Sequence, residues 1–185
     1  MTHVKPIILL DRDGVINRDS DAYVKSVDEW IPLPGSIESI AALSKAGFQV
    51  FVITNQSGIA RGYYSEATLN AMHEKMKALV EEEGGAIAGI EYCPHGPDDG
   101  CDCRKPKTGM LEAIETKLGL SFETTPAIMV GDSLRDLQAG QARGCAPVLV
   151  LTGNGRETQY KTIDFYFDVY TDLAAFAIAT LHKYQ

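Results

Sequence analysis

The stretch Ile-Ile-Leu-Leu-Asp-Arg-Asp-Gly-Val, residues 7–15, decides the fold of this chain. Four consecutive apolar residues, Ile7 to Leu10, are typical of a strand that is buried on both faces of a parallel sheet. Asp11 and Asp13 follow at once, so the strand holds two carboxylates on a short turn at its carboxyl end. Because an isolated Asp-x-Asp is most often an ordinary solvated turn, the rest of the sequence must decide whether these two form a site.

Short apolar segments and amphipathic segments alternate through the rest of the chain. Ser36 is the expected N-cap of the first helix, and Met72 and Met76 are expected in the core. Strands that alternate with helices favour an α/β fold, with a doubly wound, open parallel sheet sandwiched by helices. Beyond residues 7–10, we predict strands at 48–53, 89–92, 127–130, 147–151 and 164–169, and helices at 36–46, 65–83, 110–118, 134–144 and 172–183.

The bulk properties narrow the class of protein. A length of 185 residues fits a single domain, residues 1–185. The formal net charge is −8 and there is no run of basic residues, so nucleic acid is not an expected partner. The N-terminal stretch lacks the apolar core of a signal peptide, and no segment approaches the roughly 18 apolar residues of a membrane span. We expect a cytoplasmic monomer that does not associate with membranes.

Polar residues follow several of the predicted strands. Asp11, Thr54, a cysteine-rich loop and Asp132 come after four different strands, and the carboxyl ends of parallel strands meet at one edge of the sheet. Phosphoryl transfer needs a nucleophile, a cation and an acid. Asp11 and Asp13 can supply the nucleophile and the acid, and Asp132 completes an oxygen site suited to Mg²⁺. Asp136 is a weaker candidate, either a surface charge or a support behind the site.

Because Asp11 and Asp13 are only two residues apart, we also expect their charges to influence each other. Two carboxylates this close raise the pKa of one of them, so we expect a protonated Asp13 beside an ionised, metal-bound Asp11. Asp13 could then act as the acid in one half of a reaction and as the base in the other.

A second group of potential metal ligands lies in residues 93–103. Cys93-x-His95 and Cys101-x-Cys103 supply three thiolates and one imidazole within eleven residues, enough for a tetrahedral structural Zn²⁺ in a loop with few apolar residues. The spacing is not the commoner Cys-x-x-Cys, so a redox pair or buried thiols remain alternatives. Elsewhere, Cys145 is expected in the core and His73 on the solvated face of its helix.

Four motifs, in this order, resemble those of the haloacid dehalogenase (HAD) superfamily of phosphatases: DRDGV at 11–15, ITNQSG at 53–58, RKP at 104–106 and VGD at 130–132. Within that superfamily the chain resembles the heptose-bisphosphate phosphatases and, less closely, the histidinol-phosphate phosphatases. The resemblance implies a HAD-like Rossmann-type fold with a zinc-loop insertion and no large cap domain.

The resemblance also implies roles for individual residues. Asp11 would be nucleophile and magnesium ligand, Asp13 the acid/base whose backbone carbonyl reaches the metal, and Asp132 the third ligand. The Thr54 hydroxyl would donate to the transferring phosphoryl group and Lys105 would neutralise it. Arg104 would hold a more distant part of the substrate, and Arg61 is a lesser candidate. The remaining expected substrate contacts are Arg12, Asp19, Ser20, Asp21, Ala22, Tyr23, Asn55, Gln56, Ser57 and Ser133.

The implied reaction removes the 7-phosphate of a D-glycero-D-manno-heptose 1,7-bisphosphate through an aspartyl-phosphate, in the biosynthesis of nucleotide-activated heptose. Histidinol phosphate is the alternative substrate, although Arg104 suits a second phosphate better than an imidazole. A non-catalytic phosphate-binding or interaction module on the same fold is the alternative of another class. The aspartate pair favours the enzyme, because a binder needs neither a nucleophile nor a proton donor.

Overall fold

The computed structural model describes residues 4–185, which form one parallel sheet of six strands. The strands are β1 (Ile7–Leu10), β2 (Val50–Asn55), β3 (Gly89–Cys93), β4 (Ala127–Gly131), β5 (Ala146–Val150) and β6 (Asp168–Tyr170). Their spatial order is β3-β2-β1-β4-β5-β6. From β1 the chain first adds β2 and β3 on one side and then adds β4, β5 and β6 on the other side. The direction in which strands are added therefore reverses between β1 and β4. Ligand sites of such sheets lie at this reversal, outside the carboxyl ends of the strands.

Helices cover both faces of the sheet, as the alternation in the sequence predicts. They are α1 (Ser36–Lys45), α2 (Glu66–Glu82), α3 (Gly109–Leu118), α4 (Leu134–Ala142), α5 (Gly155–Thr158) and α6 (Leu173–Lys183). Successive residues of β1 face opposite sides, so Ile8 and Leu10 belong to a core with α1, α2 and α6, whereas Ile7 and Leu9 pack with α3 and part of α4. The expected doubly wound sheet between two helical layers is confirmed.

Several element boundaries differ from the sequence predictions. Ser36 is not the N-cap of α1. Gly35 takes that position with a φ of +78°, and the Ser36 hydroxyl instead donates to the carbonyl oxygens of Ile16 (2.6 Å) and Leu33 (2.9 Å). Strand β2 extends to residue 55, so Thr54 lies within the strand. Strand β6 is limited to the three residues that pair with β5, and the short helix α5 was not predicted.

The connection after β1 is a loop that is anchored to the body of the protein. Asn17 and Pro32 form an antiparallel bridge, and the Trp30 side chain is fully buried. The ammonium of Lys75, on α2, donates to the carbonyl oxygens of Val27 (2.8 Å) and Trp30 (2.7 Å). Within residues 4–185 only loops, and no separate cap domain, cover the carboxyl edge of the sheet. No helix in this part of the chain combines the length and the apolarity needed to cross a lipid bilayer.

Helix α4 packs against β4 through Gly140, where a β-carbon would lie 2.5 Å from Cβ of Met129. We expect Gly140→Ala to lower the free energy of unfolding by about 1–2 kcal/mol, because overpacking costs about 1–3 kcal/mol and the gain in helix propensity is below about 1 kcal/mol. Urea denaturation measures the change, with Gln138→Ala on the exposed face as control. An unchanged or higher stability of Gly140→Ala would contradict this packing.

Candidate active site

A cavity of about 250 Å³ opens at the carboxyl ends of β1, β2 and β4. Strands β1 and β4 are neighbours, and the Asp11 N–H donates to the Val130 carbonyl oxygen at 2.9 Å, so Asp11 and Asp132 reach the same rim. The predicted convergence of strand ends is confirmed. Predicted site residues that line the cavity are Asp11, Asp13, Asp19, Ser20, Tyr23, Asn55, Gln56, Ser57, Arg104, Lys105, Asp132 and Ser133.

Lys105 lies at the centre of the site with only 3% of its surface exposed. Its Nζ is 2.8 Å from Oδ1 of Asp11 and 2.7 Å from Oδ1 of Asp136, and it donates to the Ile53 carbonyl oxygen at 2.9 Å. Burial alone would lower the pKa of Lys105, but the two carboxylates raise it above its usual value. The side chain of Asn55 hydrogen-bonds both the N–H and the carbonyl of Lys105. The ammonium is therefore charged and fixed in place.

Three carboxylates face this single ammonium. Oxygen atoms of Asp11, Asp132 and Asp136 all lie within 4.8 Å of one another. Burial, then the charge of Asp136, raise the pKa of Asp11 well above its usual value and that of Asp132 to about 7. The pKa of Asp136 is lowered despite its burial, mainly by Lys105. A divalent cation would offset this excess of negative charge, and carboxylate oxygens are the ligands Mg²⁺ prefers, so the residues present fit a magnesium ion.

Asp136 is a buried part of the site, so the alternative of a surface charge is wrong. It is 1% exposed, and its Oδ2 accepts hydrogen bonds from the Ser133 N–H (3.1 Å) and hydroxyl (2.8 Å). Its side chain packs on Gly131, where a β-carbon would lie 2.1 Å from Cβ of Asp136. The glycine of the Val-Gly-Asp motif thus leaves room for an acid at the start of α4.

Asp132 is oriented by the loop after β5. Its Oδ2 accepts a hydrogen bond from the backbone N–H of Asn154 at 2.8 Å. The same oxygen packs against Gly14 (φ +82°) and Gly153 (φ +56°), and a β-carbon at either glycine would lie 2.2 Å from it. The Asp132 carboxylate therefore has little freedom to turn. Asn154 was not predicted, because no motif marks the loop that carries it.

Asp13 lies in a different environment from Asp11. Its Oδ1 accepts hydrogen bonds from Arg12 (2.8 Å from Nη2) and Asn17 (2.9 Å), and its Oδ2 accepts one from Gln56 (2.8 Å). Burial would raise the pKa of Asp13, but the Arg12 guanidinium and these hydrogen bonds outweigh burial and lower it. In the protein without metal the two pKa values are therefore shifted in the opposite sense to the protonated Asp13 beside a metal-bound, ionised Asp11 that we expected, and that expectation left the charge of Arg12 out.

Arg12 and His73 form the buried support behind Asp13. Arg12 is fully buried and its Nη1 lies 3.3 Å from Nε2 of His73, which is 4% exposed. Burial, then the charge of Arg12, lower the pKa of His73 to about 3, so the imidazole is neutral. The prediction of a solvated His73 is wrong. The Arg12 guanidinium is not part of the cavity lining and holds Asp13, and the expected substrate contact of Arg12 stays a prediction.

The side chain of Gln56 links Thr54 to Asp13 through hydrogen bonds. The Gln56 amide donates to Asp13 and also to the Thr54 hydroxyl oxygen at 2.8 Å, and the Tyr64 hydroxyl donates to the Gln56 carbonyl oxygen at 2.5 Å. Thr54 is buried, and neither it nor the exposed Asp21 and Ala22 belongs to the cavity lining. The lesser candidates Arg61 and Asp136 also line the cavity, and the lining residues that were not predicted are Val24, Tyr64, Arg135 and Asn154. Arg135 could have been predicted from its position three residues after the Val-Gly-Asp motif. No feature of the sequence indicated Tyr64.

The four expected zinc ligands lie together. The Cys93 sulfur is 3.0 Å from that of Cys103 and 3.7 Å from that of Cys101, and Nδ1 of His95 is 3.3 Å from the Cys103 sulfur. Sulfur ligands of a tetrahedral zinc with bonds of about 2.3 Å stand about 3.8 Å apart. All four donor atoms lie within 4.8 Å of one another, so a zinc ion fits the set once the Cys93 and Cys103 sulfurs move somewhat apart. Cys145 lies apart from this cluster in the core, as predicted.

The fold and the site are those of a HAD-like hydrolase, and a family model described as HAD-hydrolase-like matches residues 102–175. The chain is 57% identical over 171 residues to the D-glycero-beta-D-manno-heptose-1,7-bisphosphate 7-phosphatase of Pseudomonas putida, covering 92% of this chain and 97% of that protein. It is 55% identical over 177 residues to the enzyme of that name from Pseudomonas aeruginosa, covering 96% and 98%.

A solved structure is similar as well. The D,D-heptose 1,7-bisphosphate phosphatase from B. bronchiseptica, complexed with magnesium and phosphate, has a TM-score of 0.91 at 52% identity, covering 96% of this chain and 99% of that one. The chain therefore belongs to the family of D-glycero-beta-D-manno-heptose-1,7-bisphosphate 7-phosphatases within the HAD-like hydrolases.

The packing of Asp132 against Gly153 leads to a prediction about metal affinity. In Gly153→Ala the new methyl group would displace Asp132 Oδ2, so we expect the Mg²⁺ concentration needed for half-maximal activity to rise about tenfold or more. Gly119→Ala is the matched control: its φ is +66°, but a β-carbon there meets no atom within 4 Å. If Gly153→Ala and Gly119→Ala needed the same Mg²⁺ concentration, the proposed link between Gly153 and the position of Asp132 would be contradicted.

Proposed function

We propose that this chain removes the 7-phosphate of D-glycero-β-D-manno-heptose 1,7-bisphosphate in a magnesium-dependent reaction. The observation that carries the proposal is the meeting of Asp11, Lys105 and Asp132 at one cavity, in a chain more than half identical to relatives of that name. The B. bronchiseptica structure, with magnesium and phosphate, supports the same chemistry for this site.

Asp11 is the proposed nucleophile. Its Oδ1 accepts hydrogen bonds from the Arg12 N–H (2.9 Å) and the Lys105 ammonium (2.8 Å), which fixes the carboxylate, while its Oδ2 has no donor among the described residues. One oxygen is thus free to attack phosphorus and form an aspartyl-phosphate. Asp11, Asp132 and the backbone carbonyl of Asp13 would hold Mg²⁺, which supplies positive charge that favours ionised Asp11 and offsets the phosphoryl oxygens.

Lys105 and Thr54 are the proposed contacts to the transferring phosphoryl group. The charge of Lys105 is adjacent to Asp11, where negative charge accumulates as the phosphoryl group moves. The Thr54 hydroxyl oxygen accepts from Gln56 at 2.8 Å, and its only acceptor among the described residues is a poor one, the Asn55 carbonyl at 3.5 Å. Its proton is therefore available for a phosphoryl oxygen.

Asp13 is the proposed acid and base. It is ionised in the free protein, and the negative phosphate of a bound substrate would raise its pKa toward the acid form that protonates the leaving alkoxide. Once the alcohol has left, the Asp13 carboxylate can take a proton from the water that attacks the aspartyl-phosphate. Arg12, Asn17 and Gln56 hold it in one orientation through both steps.

We propose that Cys93, His95, Cys101 and Cys103 bind a structural Zn²⁺. The segment between them is mostly glycine, proline and aspartate and offers little to bury, so a metal is the natural means of ordering it. Arg104 and Lys105 follow Cys103 directly. The zinc ion would therefore fix the start of the segment that places Lys105 beside Asp11.

The remaining expectations are carried forward as part of the proposal. We infer a single-domain, monomeric, cytoplasmic enzyme that acts on a small sugar phosphate, with neither nucleic acid nor membrane as partner. One continuous sheet supports a single domain. The net charge of −8 supports the exclusion of nucleic acid.

Turnover of two substrates tests the proposed function. With Mg²⁺ present, we expect kcat/KM for heptose 1,7-bisphosphate to exceed that for histidinol phosphate by about 100-fold or more. Phosphate release is measured for both substrates with the same preparation. Equal or faster turnover of histidinol phosphate would overturn the choice of substrate. If no phosphate were released from either substrate or from a panel of sugar phosphates, a non-catalytic role would replace the enzyme.

Two substitutions test the roles of the aspartates. We expect Asp11→Asn to abolish turnover, because the amide is a poor nucleophile, and Asp13→Asn to lower kcat by about 10²- to 10⁴-fold, the usual value of a positioned proton donor. Asp164→Asn is the matched control, since this exposed carboxylate does not line the cavity and has no proposed role. Turnover by Asp11→Asn near that of the unmodified protein would refute covalent catalysis at Asp11.

Metal analysis tests the zinc site. Protein prepared without chelators is expected to contain one zinc per chain. Cys101→Ser should lower the zinc content and raise KM while changing the melting temperature little, because the metal orders the loop and does not order the sheet. Cys145→Ser, at the core cysteine, should leave the zinc content unchanged. A protein that contained no zinc and was fully active would contradict the proposed zinc site.

A further inference from the structure

Two arginines stand at the outer part of the active-site cavity without a carboxylate partner. Arg104, which is half-buried, and Arg135, which is exposed, both line the cavity that contains Asp11. Both also line a second cavity, of about 370 Å³, beside the cysteine-rich loop. Together with Lys105, they therefore form the wall that the two cavities share. Within residues 4–185 neither guanidinium forms an ion pair.

The buried ion pair between Lys105 and Asp136 brings these arginines together. Arg104 directly precedes Lys105 in the loop, and Arg135 directly precedes Asp136 at the start of α4. The lysine and the aspartate are 2.7 Å apart and almost fully buried, so the two chain segments are fixed against each other. Two guanidinium groups placed on one wall repel each other, and a bound anion would turn that repulsion into attraction.

The charge differs between the two ends of the site. The inner end carries Asp11, Asp132 and Asp136, so the positive charge that holds a phosphate there would come from Lys105 and a divalent cation. The second cavity has no acidic residue in its described lining and has Lys107 in addition to the two arginines. Guanidinium groups match the oxygens of a phosphate with paired hydrogen bonds, so the outer end is suited to a second anionic group of the same molecule.

We propose that Arg135 is a specificity-determining residue that, together with Arg104, binds the phosphate of the substrate that is not hydrolysed. This inference rests on the proposed function, because it requires a substrate with two phosphates. The reacting phosphate and the retained phosphate then occupy opposite ends of the site. Selection of a bisphosphate over a monophosphate is made at the outer end, by two residues that do not touch the reacting atoms.

The test compares two substrates that share one leaving group, heptose 1,7-bisphosphate and heptose 7-phosphate. In Arg135→Ala we expect kcat/KM for the bisphosphate to fall about tenfold or more, the usual effect of removing a hydrogen bond to a charged group. The loss should lie in KM, because the contact is the same in the ground state and the transition state. Turnover of the monophosphate should change less than about twofold. Arg135→Lys keeps the positive charge but loses the paired hydrogen bonds of the guanidinium. Its kcat/KM for the bisphosphate should therefore lie between those of the unmodified protein and Arg135→Ala.

Arg156→Ala, an exposed arginine of α5 outside both cavity linings, is the control for the overall change in charge. Equal losses on both substrates in Arg135→Ala would show that the residue acts through Asp136, and would overturn the inference. So would unchanged kinetics on the bisphosphate. Equal hydrolysis of both substrates by the unmodified protein would also overturn the inference, because the site would then show no selection for the bisphosphate. If the unmodified protein released no phosphate from the bisphosphate, the proposed function itself would fail, and this outcome is separate from any effect of the Arg135 variants.

Discussion

The ammonium of Lys105, held between the carboxylates of Asp11 and Asp136, is the interaction on which the rest of the site depends. It joins three segments that are distant in sequence: the end of β1, the loop after the cysteines and the start of α4. Removing one member of a buried ion pair costs about 3–5 kcal/mol, since the remaining charge stays buried without a partner. The intact network therefore fixes the three segments, and with them the site, in one arrangement.

The same network separates the roles of two aspartates that are two residues apart. Burial and neighbouring negative charge raise the pKa of Asp11, whereas a buried arginine and two amides lower that of Asp13. Ionisation of Asp11 is thus linked to the arrival of a cation, while Asp13 is ready as a base without one. A single Asp-x-Asp turn can provide both a nucleophile and a proton-transfer group because the protein surrounds each carboxylate differently.

The sequence was most informative where general geometry determines the outcome. An apolar run ending in Asp11 and a Val-Gly-Asp ending another strand must meet at one edge if the sheet is parallel, whatever the side chains do. The proximity of Cys93, His95, Cys101 and Cys103 was predictable for a similar reason, because they lie within eleven residues and the chain between them cannot separate them far. Both predictions depend on the path of the backbone and on spacing alone.

What the sequence did not reveal depends on contacts between distant side chains. His73 lies 61 residues from Arg12, and Asn154 lies 22 residues from Asp132, and no periodicity or motif links either pair. The reversed order of the two pKa values has the same origin. Arg12 was visible between the aspartates, but only the folded chain shows that it is buried with its guanidinium on Asp13.

Rapid quenching of the first turnover, followed by borohydride reduction and peptide mass spectrometry, tests most directly that Asp11 bonds to phosphorus. Reduction converts an aspartyl-phosphate to homoserine, and we expect homoserine at position 11 alone, only when Mg²⁺ and the bisphosphate are both present. Release of phosphate in that turnover with an unmodified Asp11, or with homoserine at another aspartate, would contradict covalent catalysis by this residue.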